Sequence, residues 1–198
     1  MRNLPLAAAA LALSACGASA VRMTPPPTAS PPAGARFEAT GAVAFAAEGE
    51  GATVSYSPWR VRGPGIDLAW TGGGIWAGQV AGAEARVVAT DGLVQGAGGQ
   101  VAVERAGAEL RLRGSWGGRA LEVSVSPGGL QGTLDGGACS FDLRPAGPDE
   151  LAGTLGCALA GGRRTASRGT LRLRGEAVLL PDVLQPQFVL ALLAVLPL

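Results

Sequence analysis

The chain has 198 residues and a formal net charge of +1, and its 16 basic residues are all arginine, with no lysine and no histidine. A nearly neutral chain lacks the basic surface that steers nucleic acid. Without His or Lys it cannot form a Ser-His-Asp triad, a Ser-Lys or Cys-His pair, a Schiff base or a histidine metal site. We therefore expect no nucleic-acid partner, no catalytic residues, and neither a cofactor nor a metal.

The first 16 residues have the pattern of an exported leader. Arg2 supplies a positive charge, and the apolar run from Leu4 to Leu13 is too short to span a membrane as a helix. The segment Leu13-Ser14-Ala15-Cys16 resembles the lipobox of bacterial lipoproteins. That resemblance implies that residues 1–15 are removed and that Cys16 carries lipid, such as palmitate. An ordinary signal peptide that ends near a cysteine is the alternative.

The resemblance also implies a location in the cell envelope and a partner, the membrane, reached through the lipid on Cys16. Gly17 follows the cysteine where lipoproteins kept in the inner membrane often carry Asp, so the outer membrane is favoured. Residues 16–36 are predicted to form a tether, because Thr24 to Gly34 is too rich in proline to pack a core. Roughly 20 residues at about 3.1 Å each would let the domain work up to about 60 Å from the lipid.

Residues 37–180 alternate apolar and polar side chains in short runs divided by glycine-rich turns. This period of two predicts one all-β domain, an antiparallel up-and-down meander of about 11 to 13 strands. A meander with one apolar face must curl into an open or closed barrel, fold into a sandwich or leave an apolar groove. We expect an open or closed barrel.

The strand register is predicted from the rule that apolar residues face each other across a tight turn. The predicted facing pairs are Val103 with Leu110, Leu112 with Leu121, Val125 with Leu130, Leu134 with Cys139, and Trp70 with Trp76. The turns from residue 106 to residue 137 are expected to be two-residue hairpins, rich in the glycine that such turns need. Five consecutive strands then share one apolar face, and their other face is charged and solvated.

Cys139 and Cys157 are the two cysteines that are left once Cys16 carries lipid. A turn around Pro148 places them opposite each other on the apolar face of neighbouring strands. Directly opposite residues in an antiparallel pair have Cα atoms about 4.5 to 5.5 Å apart, within the range of a disulfide. We predict a disulfide in this oxidising compartment. A metal pair is the alternative, although two cysteines fall short of four soft ligands.

Residues 181–198 change character and end in an unbroken apolar run from Phe188 to Leu196. Pro186 suits the first turn of a helix, so Gln187 to Leu196 is predicted to be a short helix packed on the β domain. Nine apolar residues cannot span a bilayer. A helix that is apolar on every side is buried or seated in a membrane, and it acts either as a lid over a cavity or as a plug of a collapsed core.

Charged residues along the strands offer weaker candidates. The arginines at 111, 113, 172 and 174, with the loop arginines 163, 164 and 168, suit phosphate or lipid headgroups, yet alternation along a solvated strand explains them equally. Two carboxylate pairs, Glu104 with Glu109 and Asp135 with Asp142, have the residue types of a glycoside hydrolase site, but no signature selects either pair.

The sequence thus predicts a non-catalytic, lipid-anchored envelope lipoprotein. One hypothesis is that its β domain binds an apolar ligand such as an acyl chain, by fold-level analogy with lipoproteins whose half-open barrels carry such chains. The alternative is a structural or assembly lipoprotein that docks another envelope protein through a sheet edge or its helix. An apolar cavity of a few hundred Å³ under the helix would favour ligand binding, and a filled interior would favour docking.

Overall fold

The computed structural model describes residues 19–20, 36–47, 50–96, 98–158, 164–175 and 185–196. The predicted signal peptide, Cys16 and the proline-rich segment from Thr24 to Gly34 lie outside these residues, as does Arg163. The strands are β1 (Ser19–Ala20), β2 (Gly41–Ala47), β3 (Glu50–Ser57), β4 (Arg60–Gly63), β5 (Ile66–Gly72), β6 (Ile75–Val80), β7 (Ala83–Thr90), β8 (Leu93–Gly96), β9 (Gly99–Ala106), β10 (Glu109–Trp116), β11 (Arg119–Ser126), β12 (Gly129–Leu134), β13 (Cys139–Gly147), β14 (Glu150–Ala158) and β15 (Arg164–Gly175). One helix follows, α1 (Pro186–Val195).

The strands β2 to β15 form a closed, antiparallel, up-and-down barrel of 14 strands. Each strand pairs with the next along the chain, and the last pairs with the first, with Leu171 opposite Phe45. The predicted fold class is confirmed in its closed form. The strand number exceeds the prediction because strands such as β4, with the sequence Arg-Val-Arg-Gly, are too short to show a clear alternation.

The alternating strand directions place the turns on two rims. We call the end where β2 begins the upper rim; it carries the turns at 58–59, 73–74, 91–92, 107–108, 127–128 and 148–149. The lower rim carries the turns at 64–65, 81–82, 117–118 and 135–138. The strand β1 lies outside this alternation and pairs with β9 near the upper rim. Part of the segment that the sequence assigns to a tether is therefore paired with the barrel wall.

The predicted register is confirmed for three of the pairs: Val125 with Leu130, Leu134 with Cys139, and Trp70 with Trp76. The connection from Leu134 to Cys139 is not a two-residue hairpin, however. A single 3₁₀ turn at Asp135–Gly137 followed by Ala138 joins β12 to β13.

Two predicted pairs, Val103 with Leu110 and Leu112 with Leu121, are wrong by two residues. In the structure Leu112 lies opposite Val103 on one side and Val123 on the other. The second turn is centred on Gly117 and Gly118, with φ of 58° and 82°, because a tight hairpin turn needs two residues with positive φ. Moving the turn by one residue shifts the pairing by two, so every side chain keeps its predicted face.

The interior of the barrel is filled with apolar side chains. Inward residues around the whole wall, such as Val43, Leu68, Val101 and Leu143, are fully buried and form one core with α1. Six consecutive helical residues, Phe188 to Leu193, are each at most 3% exposed. Since six residues cover every side of a helix, α1 lies inside the barrel, against β2, β3 and β4. The predicted buried helix is confirmed, one residue displaced at each end.

Every second strand from β4 to β14 carries one inward glycine that packs on the strand before it. These residues are Gly63, Gly78, Gly96, Gly114, Gly132 and Gly153. At Gly114, whose φ is 146°, a Cβ would collide with the carbonyl oxygen of Gln100 on β9. Glycine at such positions lets neighbouring backbones approach closely where a sheet bends. This row accompanies the curvature that closes the barrel.

Candidate functional site

The predicted cysteine pair lies near the lower rim. Cys139 and Cys157 are directly opposite on β13 and β14, their Cα atoms are 4.0 Å apart, and their sulfurs are at disulfide distance. Cys139 is buried, and Arg119 approaches its Sγ at 3.7 Å. The predicted register is therefore confirmed. A disulfide at this position joins the neighbouring strands β13 and β14.

The barrel interior is the place where an apolar ligand would bind. Tyr56, Leu68 and Trp76 project inward from the wall and are 0% exposed, and the side chains of α1 occupy the space between them. Three cavities lined by described residues lie on the outside of the barrel or at a rim. The helix is thus a plug of a filled core, which is one of the two predicted arrangements.

The filled interior still holds polar atoms without partners among the described residues. The indole Nε1 of Trp76 and the Oε1 of Gln187 are buried and make no hydrogen bond. At the start of α1, Gln187 is 4% exposed and its amide donates only to Gln185, at 2.9 Å. An unpartnered buried polar group costs about 1 to 3 kcal/mol, so the first turn of the helix is its least favourable part.

The outer wall carries charges that are mostly neutralised by near neighbours. Arg60 binds Asp67 through two hydrogen bonds of 2.8 Å, and Arg111 binds Glu109 through two of 3.0 and 3.1 Å. Further ion pairs join Arg113 to Glu122, Arg119 to Asp135, Arg144 to Asp142, and Arg172 to Glu150. The wall is therefore a surface of mixed charge, as the alternation along the strands predicts.

The described candidate arginines lie on this outer wall of mixed charge. Arg111, Arg113 and Arg172 each form an ion pair with a carboxylate on the same or a neighbouring strand. Their positive charge is therefore partly neutralised and less available to bind a lipid headgroup. Arg168 and Arg174 project into solvent from β15. The side chain of Arg164 and the whole of Arg163 lie outside the described residues. The structure does not gather the described arginines into one basic patch.

Three of the four candidate carboxylates, Glu109, Asp135 and Asp142, bind polar or charged neighbours. Hydrogen bonds from Arg111 and Ser124 lower the pKa of Glu109. A hydrogen bond from Gln131, with a further one from Arg144, lowers the pKa of Asp142, whereas Asp135 binds Arg119 at the lower rim. A glycosidase acid needs a raised pKa, so the shifts at Glu109 and Asp142 run in the opposite direction. Among the described residues, no group of three or more His, Cys, Asp or Glu side chains is arranged to hold a metal ion.

A cavity of about 570 Å³ opens at the upper rim. The segment at 36–40 and the turn between β3 and β4 line it, with Phe37 and Trp59 beside Arg36 and Arg60. The carbonyl of Trp59 accepts a hydrogen bond of 2.8 Å from the backbone N–H of Trp70, which fixes the turn against β5. This half-open site combines aromatic rings and guanidinium groups, a mixture that suits an amphipathic surface better than a small polar substrate.

The sequence indicated this upper-rim site only in part. Clustered tryptophans at 59, 70 and 76 are visible in the sequence, but the approach of Arg36 and Phe37 to Trp59 depends on the pairing of β2 with β3, which places Gly41 opposite Tyr56. The sequence also gives no sign of the pairing of β1 with β9, because a strand of two residues is too short to show an alternation of apolar and polar side chains. Within the described part of the chain, the helix α1 is too short to cross a membrane.

No protein-family model matches the chain, and neither a curated protein nor a solved structure matches it either.

Proposed function

We propose that this chain is a non-catalytic lipoprotein of the bacterial envelope, anchored through acyl groups on Cys16, whose barrel serves as a rigid body that docks another envelope protein. The apolar leader and the Leu13-Ser14-Ala15-Cys16 segment support the anchor and an outer-membrane location. The observation that carries the docking role is the filled interior. A barrel whose space is taken by its own helix has its outer surfaces available for recognition.

Docking would use the outer wall or a rim. Strand β15 pairs with β2, and α1 is buried on every side, so both docking features that the sequence suggests are used within the fold. The mixed charges of the wall, with paired Arg and carboxylate groups, resemble the polar periphery of transient protein interfaces.

Binding of an apolar ligand such as an acyl chain is the second candidate, and the buried Oε1 of Gln187 favours it. This unpartnered group weakens the first turn of α1, and the helix is held in the barrel mainly by apolar contacts. A ligand would have to displace the helix and fill the space of its side chains.

Native mass spectrometry of the purified full chain distinguishes the two candidates. For a docking protein we expect the mass of the chain from Cys16 onward plus its covalent acyl groups, with no further lipid after gentle solubilisation. A stoichiometric, extractable apolar molecule would instead establish the ligand-binding candidate. The docking role also requires that a photocrosslinker scanned over outward positions of the wall, such as Gln131 and Gln79, joins one discrete envelope protein in living cells from a contiguous set of positions and not from the others.

A further inference from the structure

The strand β1 attaches the start of the described chain to one end of the barrel. Ser19 lies opposite Arg105 and Ala20 opposite Glu104, in an antiparallel pair with β9. Strand β9 runs toward the upper rim and ends there at Ala106. Because β1 runs the other way, the chain enters it from the side of the upper rim.

The distance from Cys16 to this rim is limited by covalent geometry. Three peptide units separate Cys16 from Ser19, and a fully extended chain spans at most about 3.6 Å per residue. The Cα atom of Cys16 therefore lies within about 11 Å of the Cα atom of Ser19. A lipid on Cys16 cannot be about 60 Å from the barrel while β1 is paired, whatever the length of the segment at 21–35.

The upper rim has the side chains that suit such a position. Phe37, Pro58 and Trp59 line the cavity at this rim together with Arg36, Glu38 and Arg60, and Arg60 is paired with Asp67. Tryptophan and arginine are favoured at membrane interfaces, where their apolar parts meet lipid and the guanidinium group stays hydrated, although the indole Nε1 of Trp59 is buried in the structure. Carboxylates lie at both rims, with Glu38, Asp91 and Asp149 at the upper rim and Asp135, paired with Arg119, at the lower rim, so the difference between the rims rests on Phe37 and Trp59.

We propose that the upper rim rests on the lipid surface that holds the Cys16 anchor, with the lower rim directed away from the membrane. This inference rests on the proposed lipidation of Cys16. The segment at 21–35 then connects β1 to the barrel and does not act as a spacer between the barrel and the membrane. A docking partner would meet the outer wall and the lower rim.

The test uses the acylated full chain in phosphatidylethanolamine and phosphatidylglycerol vesicles that contain lipids carrying a nitroxide quencher. Single thiols for a fluorescent label are introduced as Ala108→Cys on the upper rim and Ala120→Cys near the lower rim, both at exposed positions. A strand of about eight residues separates the two labels by about 20 Å along the barrel axis. We expect quenching of the Ala108→Cys label to exceed that of the Ala120→Cys label by about threefold or more.

Two insertions show whether β1 sets this orientation. A flexible Gly-Ser segment of about 12 residues after Ala18 lengthens the chain between Cys16 and β1, and we expect it to remove the difference between the labels. The same insertion after Ser30 lies beyond β1 and should leave the difference intact. Acylated chains whose two labels are quenched alike, or whose difference survives the insertion after Ala18, would overturn this inference alone. An unmodified Cys16, detected by the mass of the N-terminal peptide, would overturn the proposed anchor and this inference together.

Discussion

The ring of Tyr56 on β3 meets the ring of Phe188 on α1 edge to face, with centroids 6.5 Å apart and planes at 76°. Both side chains are buried, and this geometry is favourable for aromatic pairs. The contact joins the wall of the barrel to the first turn of the helix, where Gln187 is poorly satisfied. Aromatic packing thus holds the end of α1 that its polar groups hold least well.

We expect Phe188→Ala to lower the free energy of unfolding by about 3 to 5 kcal/mol, because it removes a large side chain from a core that cannot easily collapse. Urea denaturation measures the change. Ala194→Ser on the same helix is the matched control, since Ala194 is only half-buried, and should change stability far less. Equal effects of the two substitutions would argue against a plug that packs tightly inside the barrel.

Truncation after Pro186 tests the helix as a whole. It removes seven large apolar side chains that are buried in the structure. Each is worth about 1.5 to 3 kcal/mol when fully buried, so together they are comparable with a net stability of about 5 to 15 kcal/mol. We expect the truncated chain to aggregate or to be cleaved rapidly in limited proteolysis. A soluble truncated chain with an unchanged melting temperature would contradict the role of α1 as the plug.

Formation of the Cys139–Cys157 disulfide predicts a specific response to reductant. Closing a loop of this length stabilises a chain by roughly 3 kcal/mol in the chain-entropy estimate, so reduction should lower the melting temperature of the protein. The double substitution Cys139→Ala with Cys157→Ala should abolish the response. Peptide mapping without reductant that finds two free thiols in exported protein would rule out the bond.

An inward glycine and an outward glycine predict different effects of the same substitution. Gly114→Ala places a Cβ against the carbonyl oxygen of Gln100 at a positive φ and should destabilise the barrel by about 1 to 3 kcal/mol. Gly156→Ala should leave stability unchanged or raise it slightly, because the nearest atom to its Cβ, the Thr165 oxygen, is 3.4 Å away. Equilibrium denaturation of the two variants compares them directly. Similar stabilities would show that close strand contact at Gly114 is not required.

The Arg60–Asp67 pair predicts a pH dependence of stability. Hydrogen bonding from Arg60 lowers the pKa of Asp67 in the folded chain. Ionised Asp67 therefore adds stability above its unfolded pKa of about 3.9, and this contribution is lost as the pH falls through the lower folded pKa. Both side chains are partly exposed, so Asp67→Asn should cost at most about 1 kcal/mol at pH 7.

The difference between wild type and Asp67→Asn should shrink as the pH falls below the unfolded pKa of about 3.9 and disappear only below the lowered folded pKa of Asp67, where both chains are neutral at this position. Thermal melts across a range of pH measure this difference. The Arg60→Gln variant and the Arg60→Gln, Asp67→Asn double variant complete a double-mutant cycle for the pair. A difference that grows on acidification would mean that the assigned direction of the Asp67 pKa is wrong.

Much of the fold is predictable because alternation determines which face each residue occupies. Leu110, Leu112 and Val123 lie inward as predicted although their pairing shifted by two residues, since the face depends on parity and the pairing on turn geometry. Barrel closure was not predictable, because it depends on the last strand meeting the first. The glycines at 78, 96, 114 and 132 recur every 18 residues, and this spacing was the unused signal of a regularly bent sheet.

The candidate site was less accessible to prediction than the fold. The cysteine register follows from local alternation around one turn, and the structure places Cys139 opposite Cys157. The upper-rim cavity instead brings Phe37 to Trp59, and the position of β1 depends on pairing between residues more than 80 positions apart along the chain. The approach of Phe37 to Trp59 follows from the pairing of β2 with β3, whereas the contact of β1 joins distant parts of the chain and leaves no periodic pattern in the sequence.

Lipidation of Cys16 is the central claim, and metabolic labelling with a clickable fatty acid tests it most directly. The full chain and the Cys16→Ala variant are expressed in a bacterial host that processes lipoproteins, and the label is read after denaturing purification. We predict strong label on the wild-type chain and loss of the label from Cys16→Ala, with the wild-type chain in the membrane fraction. Absence of label from the wild type, or label that persists in Cys16→Ala, would contradict the account.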